Sequence, residues 1–210
     1  LHRDEAPVLK NYVMPLAQRA LVDLSDRYGF EVEGPILVEV FPRHDDFAVR
    51  TLGLPGMIGA LGACFGKVVT LDSPRARTPG EFNWQSTLWH EMAHVITLQM
   101  SNQRVPRWLT EGLSTFEQKR ARADWARDQD LGFATALNQD DVLSLRDLNS
   151  GFSRPETISM AYFQASVLVE HIVAHYGEGT IGDLLRAYGD GLDTEEALAQ
   201  SGLNFDALQA

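Results

Sequence analysis

"LWHEMAHVIT", Leu88 to Thr97, sets two histidines four residues apart in a mostly apolar run, with a glutamate directly after the first. In an α-helix each residue advances about 100°, so positions four apart stand one turn above each other on one face. His90 and His94 thus present two imidazoles to one point, as a tetrahedral zinc ion requires. Glu91 stands beside that face, where its carboxylate can reach a metal-bound water rather than the metal. This is the HExxH pattern of two ligands and a general base. A chain of this composition holds about 0.01 such matches by chance. The neighbours Leu88, Trp89, Met92, Ala93, Val95 and Ile96 are apolar, so imidazoles left unpaired among them would be costly. A metal ion removes that cost.

Zinc needs a third protein ligand and, for catalysis, an open fourth position. The candidate lies in "VPRWLTEGLSTFEQ", Val105 to Gln118. Asn102 to Arg104 break the first helix, and Pro106 suits the first turn of the next. A helix starting there and packing back antiparallel places Glu111 about one and a half turns in, able to face the histidines. Trp108, Leu109, Leu113 and Phe116 make its surroundings apolar, where an unpaired carboxylate is expensive. Glu117 competes for the role, but it adjoins the polar tail "QKRAR" and reads as a surface residue.

"HEMAH" followed by "WLTEGLSTFEQ" resembles the gluzincin metallopeptidases, whose third zinc ligand is the glutamate of a W-L-x-E-G helix. More closely, the chain is similar to the peptidase-MA-like domains found beside tetratricopeptide repeats in bacterial proteins. There a third motif follows, matched here by "AYFQASVLVEHIVAHYG", Ala161 to Gly177. The resemblance covers Asn83 to Gly177 well and the N-terminal part loosely. It implies a zincin-like fold with His90, His94 and Glu111 as ligands of one Zn2+ ion and Glu91 as general base. It also implies Tyr162 as the phenol that hydrogen-bonds the oxyanion, although the residues alone equally allow a core tyrosine there. As partners it implies a peptide or protein substrate and tetratricopeptide-repeat regions of the same parent chain. In gluzincins a strand above the site pairs with substrate backbone, and the glycines of Gly59 to Ala63 suit that place. No acidic motif for reading a substrate N-terminus is present there, which speaks against an aminopeptidase.

The whole chain fits this reading. Its 210 residues suffice to bury a core, and a formal net charge of -11 argues against a nucleic-acid surface or an anionic membrane. The one cysteine, Cys64, excludes an intrachain disulfide and a cysteine-built zinc site, and reads as a small buried thiol. The longest uncharged run, Thr51 to Gly66, is too short and too glycine-rich to span a membrane. A start at Leu1 without methionine or signal pattern reads as a piece of a longer chain. His171 and His175 repeat the four-residue spacing without a following glutamate or an acidic partner, and read as a solvated helix face.

The expected architecture is α+β in a single peptidase-MA-like domain over residues 1–210. A small mixed lobe with a short β-sheet (1–80) precedes a larger helical lobe (81–210) that carries the HExxH helix. Helices are expected at Val8–Tyr28, His44–Gly53, Trp84–Met100, Pro106–Asp124, Ile158–Tyr176, Ile181–Tyr188 and Thr194–Gln200. "PILVEVF" and "KVVTLD" read as strands, and Leu54 to Gly66 as a loop and strand. The function that follows is zinc-assisted peptide hydrolysis. A second class remains open: a zinc-containing binding or scaffold domain of a larger repeat protein, without turnover. The intact Glu91 favours the enzyme, since a structural site needs no base.

Overall fold

The computed structural model describes residues 1–55, 59–125 and 142–209. Helix α1 (Ala6–Tyr28) places a proline in its first turn, where the missing N–H has no partner to lose, and stops at Gly29. Strand β1 (Leu37–Phe41), helix α2 (His44–Leu52) and strands β2 (Gly62–Cys64) and β3 (Val68–Asp72) follow. The sheet order is β1–β3–β2. β1 runs parallel to β3, with Leu37 opposite Val68, so the chain between them must cross over, and α2 makes part of that crossover. β2 runs antiparallel to β3, with Gly62 opposite Leu71. The central strand is the most buried, and its Val69 and Leu71 are fully covered.

The second half is helical: α3 (Trp84–Met100), α4 (Arg107–Ala121), α5 (Leu145–Gly151), α6 (Ile158–Tyr176), α7 (Gly179–Gly189), α8 (Thr194–Gln200) and α9 (Phe205–Gln209). The side chain of Asn83 opens α3 by accepting the Ser86 N–H at 3.2 Å. α3 is buried on nearly all sides, with Leu88, Trp89, Met92, Val95 and Ile96 in the core, which explains why it lacks a polar face. It ends in a left-handed turn at Asn102 and Gln103 (φ 50° and 65°), closed by the Gln103 N–H on the Leu98 carbonyl at 2.8 Å. α4 then returns antiparallel, since Thr97 meets Thr110 while Ser86, near the start of α3, meets Gln118. α1 packs on α3, and α6 packs on α4. A Cβ on Gly112 of α4 would stand 2.5 Å from the Ala165 carbonyl oxygen of α6, so only glycine permits this crossing.

The fold is α+β, and the expected strands and main helices are present. Three expectations need correction. The helix anticipated to Asp124 ends at Ala121 and gives way to a 3-10 turn at Ala123–Trp125. α5 and α9 were not anticipated; both are short, with too few turns for a hydrophobic period to register. Glu117, expected on the surface, is fully buried. Its side chain reaches the end of α1, where it accepts hydrogen bonds from the Tyr28 hydroxyl and Arg27. Of the stretch Leu54 to Gly66, residues 56–58 lie outside the described residues. Among the described residues no helix is long and apolar enough to cross a membrane.

Candidate metal centre

The α3–α4 hairpin brings His90, His94 and Glu111 together. One ligand atom from each lies within 4.8 Å of the others, and this is the group able to hold a metal among the described residues. Glu111 Oε2 stands 3.2 Å from His90 Nε2 and 3.3 Å from His94 Nε2, so the three donor atoms converge. The two rings meet edge to face with centroids 4.8 Å apart.

The other ring nitrogens are held from behind. His90 Nδ1 donates to Gln118 Oε1 at 2.9 Å. The Gln118 amide nitrogen in turn donates to Ser86 O at 3.2 Å and to Ser86 Oγ at 2.7 Å, which turns the carbonyl toward the ring. His94 Nδ1 donates to Thr110 Oγ1 at 2.7 Å, and that hydroxyl pairs with Thr97 Oγ1 at 2.6 Å. With Nδ1 held from behind, Nε2 of each ring is the atom turned toward Glu111, where it can carry a proton to the carboxylate or offer its lone pair to a metal. The donor set of two imidazoles and one carboxylate therefore fits a divalent ion.

The electrostatics agree. Burial opposes charge on His90, but its bond to Glu111 and the charges of Glu91 and Glu111 raise its pKa. Burial likewise pushes Glu111 upward, yet the hydrogen bonds and charges of the two histidines hold it well below the usual carboxylate range. The pocket is thus built to keep a negative carboxylate against two imidazoles.

Glu91 is buried on α3 directly beside this cluster, and its Oε2 has no hydrogen-bond partner among the described residues. Burial raises its pKa against the opposing pull of His94 and His90. β2, an outer strand, presses on it from above. A Cβ on Gly62 would fall 2.7 Å from Glu91 Oε1 and 2.8 Å from its Cγ, so the backbone itself forms the wall. The approach to β2 is fixed by Arg77, which donates to the Ala60 carbonyl at 3.2 Å, and by the Asp72 N–H on the Leu61 carbonyl at 3.0 Å.

Tyr162, in the first turns of α6, lies next to His90 with ring centroids 6.2 Å apart, and packs edge-on against Phe152 at 5.0 Å. Burial first, then the charge of Glu111, raises its pKa, so the phenol keeps its proton. The close crossing at Gly112 brings this part of α6 toward the centre. Residues 16–209 match the Peptidase MA superfamily.

The chain belongs to the peptidase MA superfamily. No curated protein and no solved structure matches it. In this peptidase MA chain the second histidine pair stays exposed on α6, whereas Cys64 lies on β2 within reach of the charge of Glu91. His171 and His175 are exposed and stacked 4.1 Å apart, with His175 Nδ1 bonded to the His171 carbonyl. Cys64 is half-buried, and burial pushes its thiol up to about 12, which keeps it protonated at neutral pH.

Sequence reasoning missed Gln118, Thr110, Thr97 and Arg107. Some signal was there: Thr97 is one turn beyond His94, and Gln118 is two turns beyond Glu111 on the same helical face. Gly62 lies in the glycine stretch expected above the site, and the packing of the sheet on α3 is what sets it against Glu91.

Proposed function

We propose that this peptidase MA chain is a zinc-dependent metallopeptidase with a zincin-like active site. The observation that carries the reading is Glu91, a buried carboxylate with an unpaired oxygen beside a ready three-ligand cluster. A buried acid without a partner is costly and has no structural use there. A reaction gives it one.

His90, His94 and Glu111 would hold the ion, and zinc so held supplies a Lewis acid that brings a water's pKa toward neutrality. Glu91 accepts a proton from the attacking water and returns it to the leaving amine. Burial raises its pKa, which makes its carboxylate a stronger base than an exposed one. Tyr162 keeps its phenolic proton and donates it as a hydrogen bond to the oxygen on which charge develops. The substrate is a peptide or protein segment, and the outer strand β2 next to Glu91 offers backbone groups for it to pair with.

The test is to incubate zinc-loaded protein with a diverse peptide mixture and identify products by mass spectrometry, with Glu91→Gln as control. Products made by the wild type and absent with a Glu91→Gln variant that still holds zinc support the peptidase. Cleavage by Glu91→Gln at the wild-type rate, or no cleavage by protein that holds zinc, sinks it.

A further inference from the structure

The two oxygens of Glu111 have different neighbours. Oε2 faces both histidines, at 3.2 and 3.3 Å, whereas Oε1 lies 3.4 Å from Arg107 Nε, one turn earlier on α4. Arg107 is held from a second side as well. Its NH1 donates to the Phe152 carbonyl at 3.2 Å, and its guanidinium lies 5.3 Å from the centre of the Phe152 ring. Phe152 is itself buried at the end of α5 and packs against Tyr162. The guanidinium is therefore clamped between its own helix and a neighbouring one.

We propose that Arg107 is a positioning residue that makes Glu111 a one-oxygen metal ligand. This inference rests on the metal reading of the centre. A carboxylate can grip a divalent ion through one oxygen or through both. A cation fixed at Oε1 competes for the lone pairs of that oxygen and leaves Oε2 alone to face the histidines. One coordination position then stays free for water or substrate. The planar fork of arginine suits the task, because Nε can serve the carboxylate while NH1 serves a carbonyl at another angle. A lysine carries the charge but a single nitrogen, and cannot hold both partners with the same geometry.

An ordinary half-exposed ion pair between Arg107 and Glu111 would behave differently: its loss would leave the metal unaffected. The experiment compares wild type, Arg107→Ala and Arg107→Lys in three readouts. These are zinc affinity by chelator competition, carboxylate coordination by X-ray absorption, and the thermal midpoint of the metal-free protein. Arg107→Ala is expected to bind zinc about 10- to 100-fold more weakly. It should also shift Glu111 to two-oxygen coordination and leave the metal-free midpoint near that of wild type. Arg107→Lys should fall between the two in affinity.

Wild-type affinity and one-oxygen coordination in Arg107→Ala would overturn the inference. So would a fall in the metal-free midpoint of both variants that matches their loss of zinc, because the role would then be structural. Wild type that takes up no zinc would instead bring down the metal reading itself.

Discussion

Glu111 and Glu117 sit on the same helix, both buried, in opposite company. Glu111 places one oxygen between two imidazole nitrogens, and the histidines hold its pKa well below the usual range despite burial. Glu117 meets the Tyr28 hydroxyl and Arg27, and for it burial outweighs those partners and raises the pKa. Burial alone therefore says little about what a carboxylate does. Glu111 faces ring nitrogens that can trade their proton for an ion. Glu117 faces groups that carry hydrogens, and it ties α4 to α1.

The largest expected effect separates the two glutamates directly. Glu111→Ala should weaken zinc binding on the order of a thousandfold in a chelator competition, by removing one of three ligands. Glu117→Gln should leave the affinity unchanged. Equal affinities in Glu111→Ala and wild type would erase the contrast. Next comes the residue that follows Glu111. Gly112→Ala places a carbon 2.5 Å from the Ala165 carbonyl oxygen, and α4 and α6 must part. A loss of about 3 kcal/mol is expected, measured as a lower urea midpoint.

A subtler change sharpens what surrounds the ligand cluster. Thr110→Val keeps the side-chain shape and removes the hydroxyl bonded to His94 Nδ1. Zinc affinity should fall about tenfold, with the circular dichroism spectrum unchanged.

The smallest effect concerns pH. The raised pKa of Glu117 means that the folded protein keeps a proton which the unfolded chain has already released. The stability from neutral Glu117 is full below the ordinary carboxyl pKa and is lost as pH rises through the raised value. Urea unfolding across that window should show wild type declining, and Glu117→Gln should lack this part of the decline. Parallel curves would count against burial as the dominant influence on Glu117.

The sequence announced the centre where local periodicity carries it. Four-residue spacing placed His90 and His94 on one face, and Asn102 to Arg104 with Pro106 marked the reversal that returns Glu111 to them. Glu117 was misread for a physical reason. It adjoins the polar tail "QKRAR" in sequence, while its own side chain turns to Tyr28 and Arg27, 89 and 90 residues away. The glycines of Gly59 to Ala63 were legible as a strand above the site, but that Gly62 in particular walls Glu91 follows only once the sheet is packed on α3. Hydrogen-bond partners such as Gln118 and Thr110 lay on the right helical face, but spacing cannot say which polar residue on that face meets a ring nitrogen.

All three ligands come from consecutive helices joined by a tight turn. An ion bound there would close only a short loop, and loop-closure entropy grows slowly with loop length. It would therefore oppose motions that separate α3 from α4, and no others. Backbone amides of α8 and α9, which can open without disturbing the ligand set, would exchange with solvent at the same rate whether or not the ion is bound. Those of the hairpin would slow.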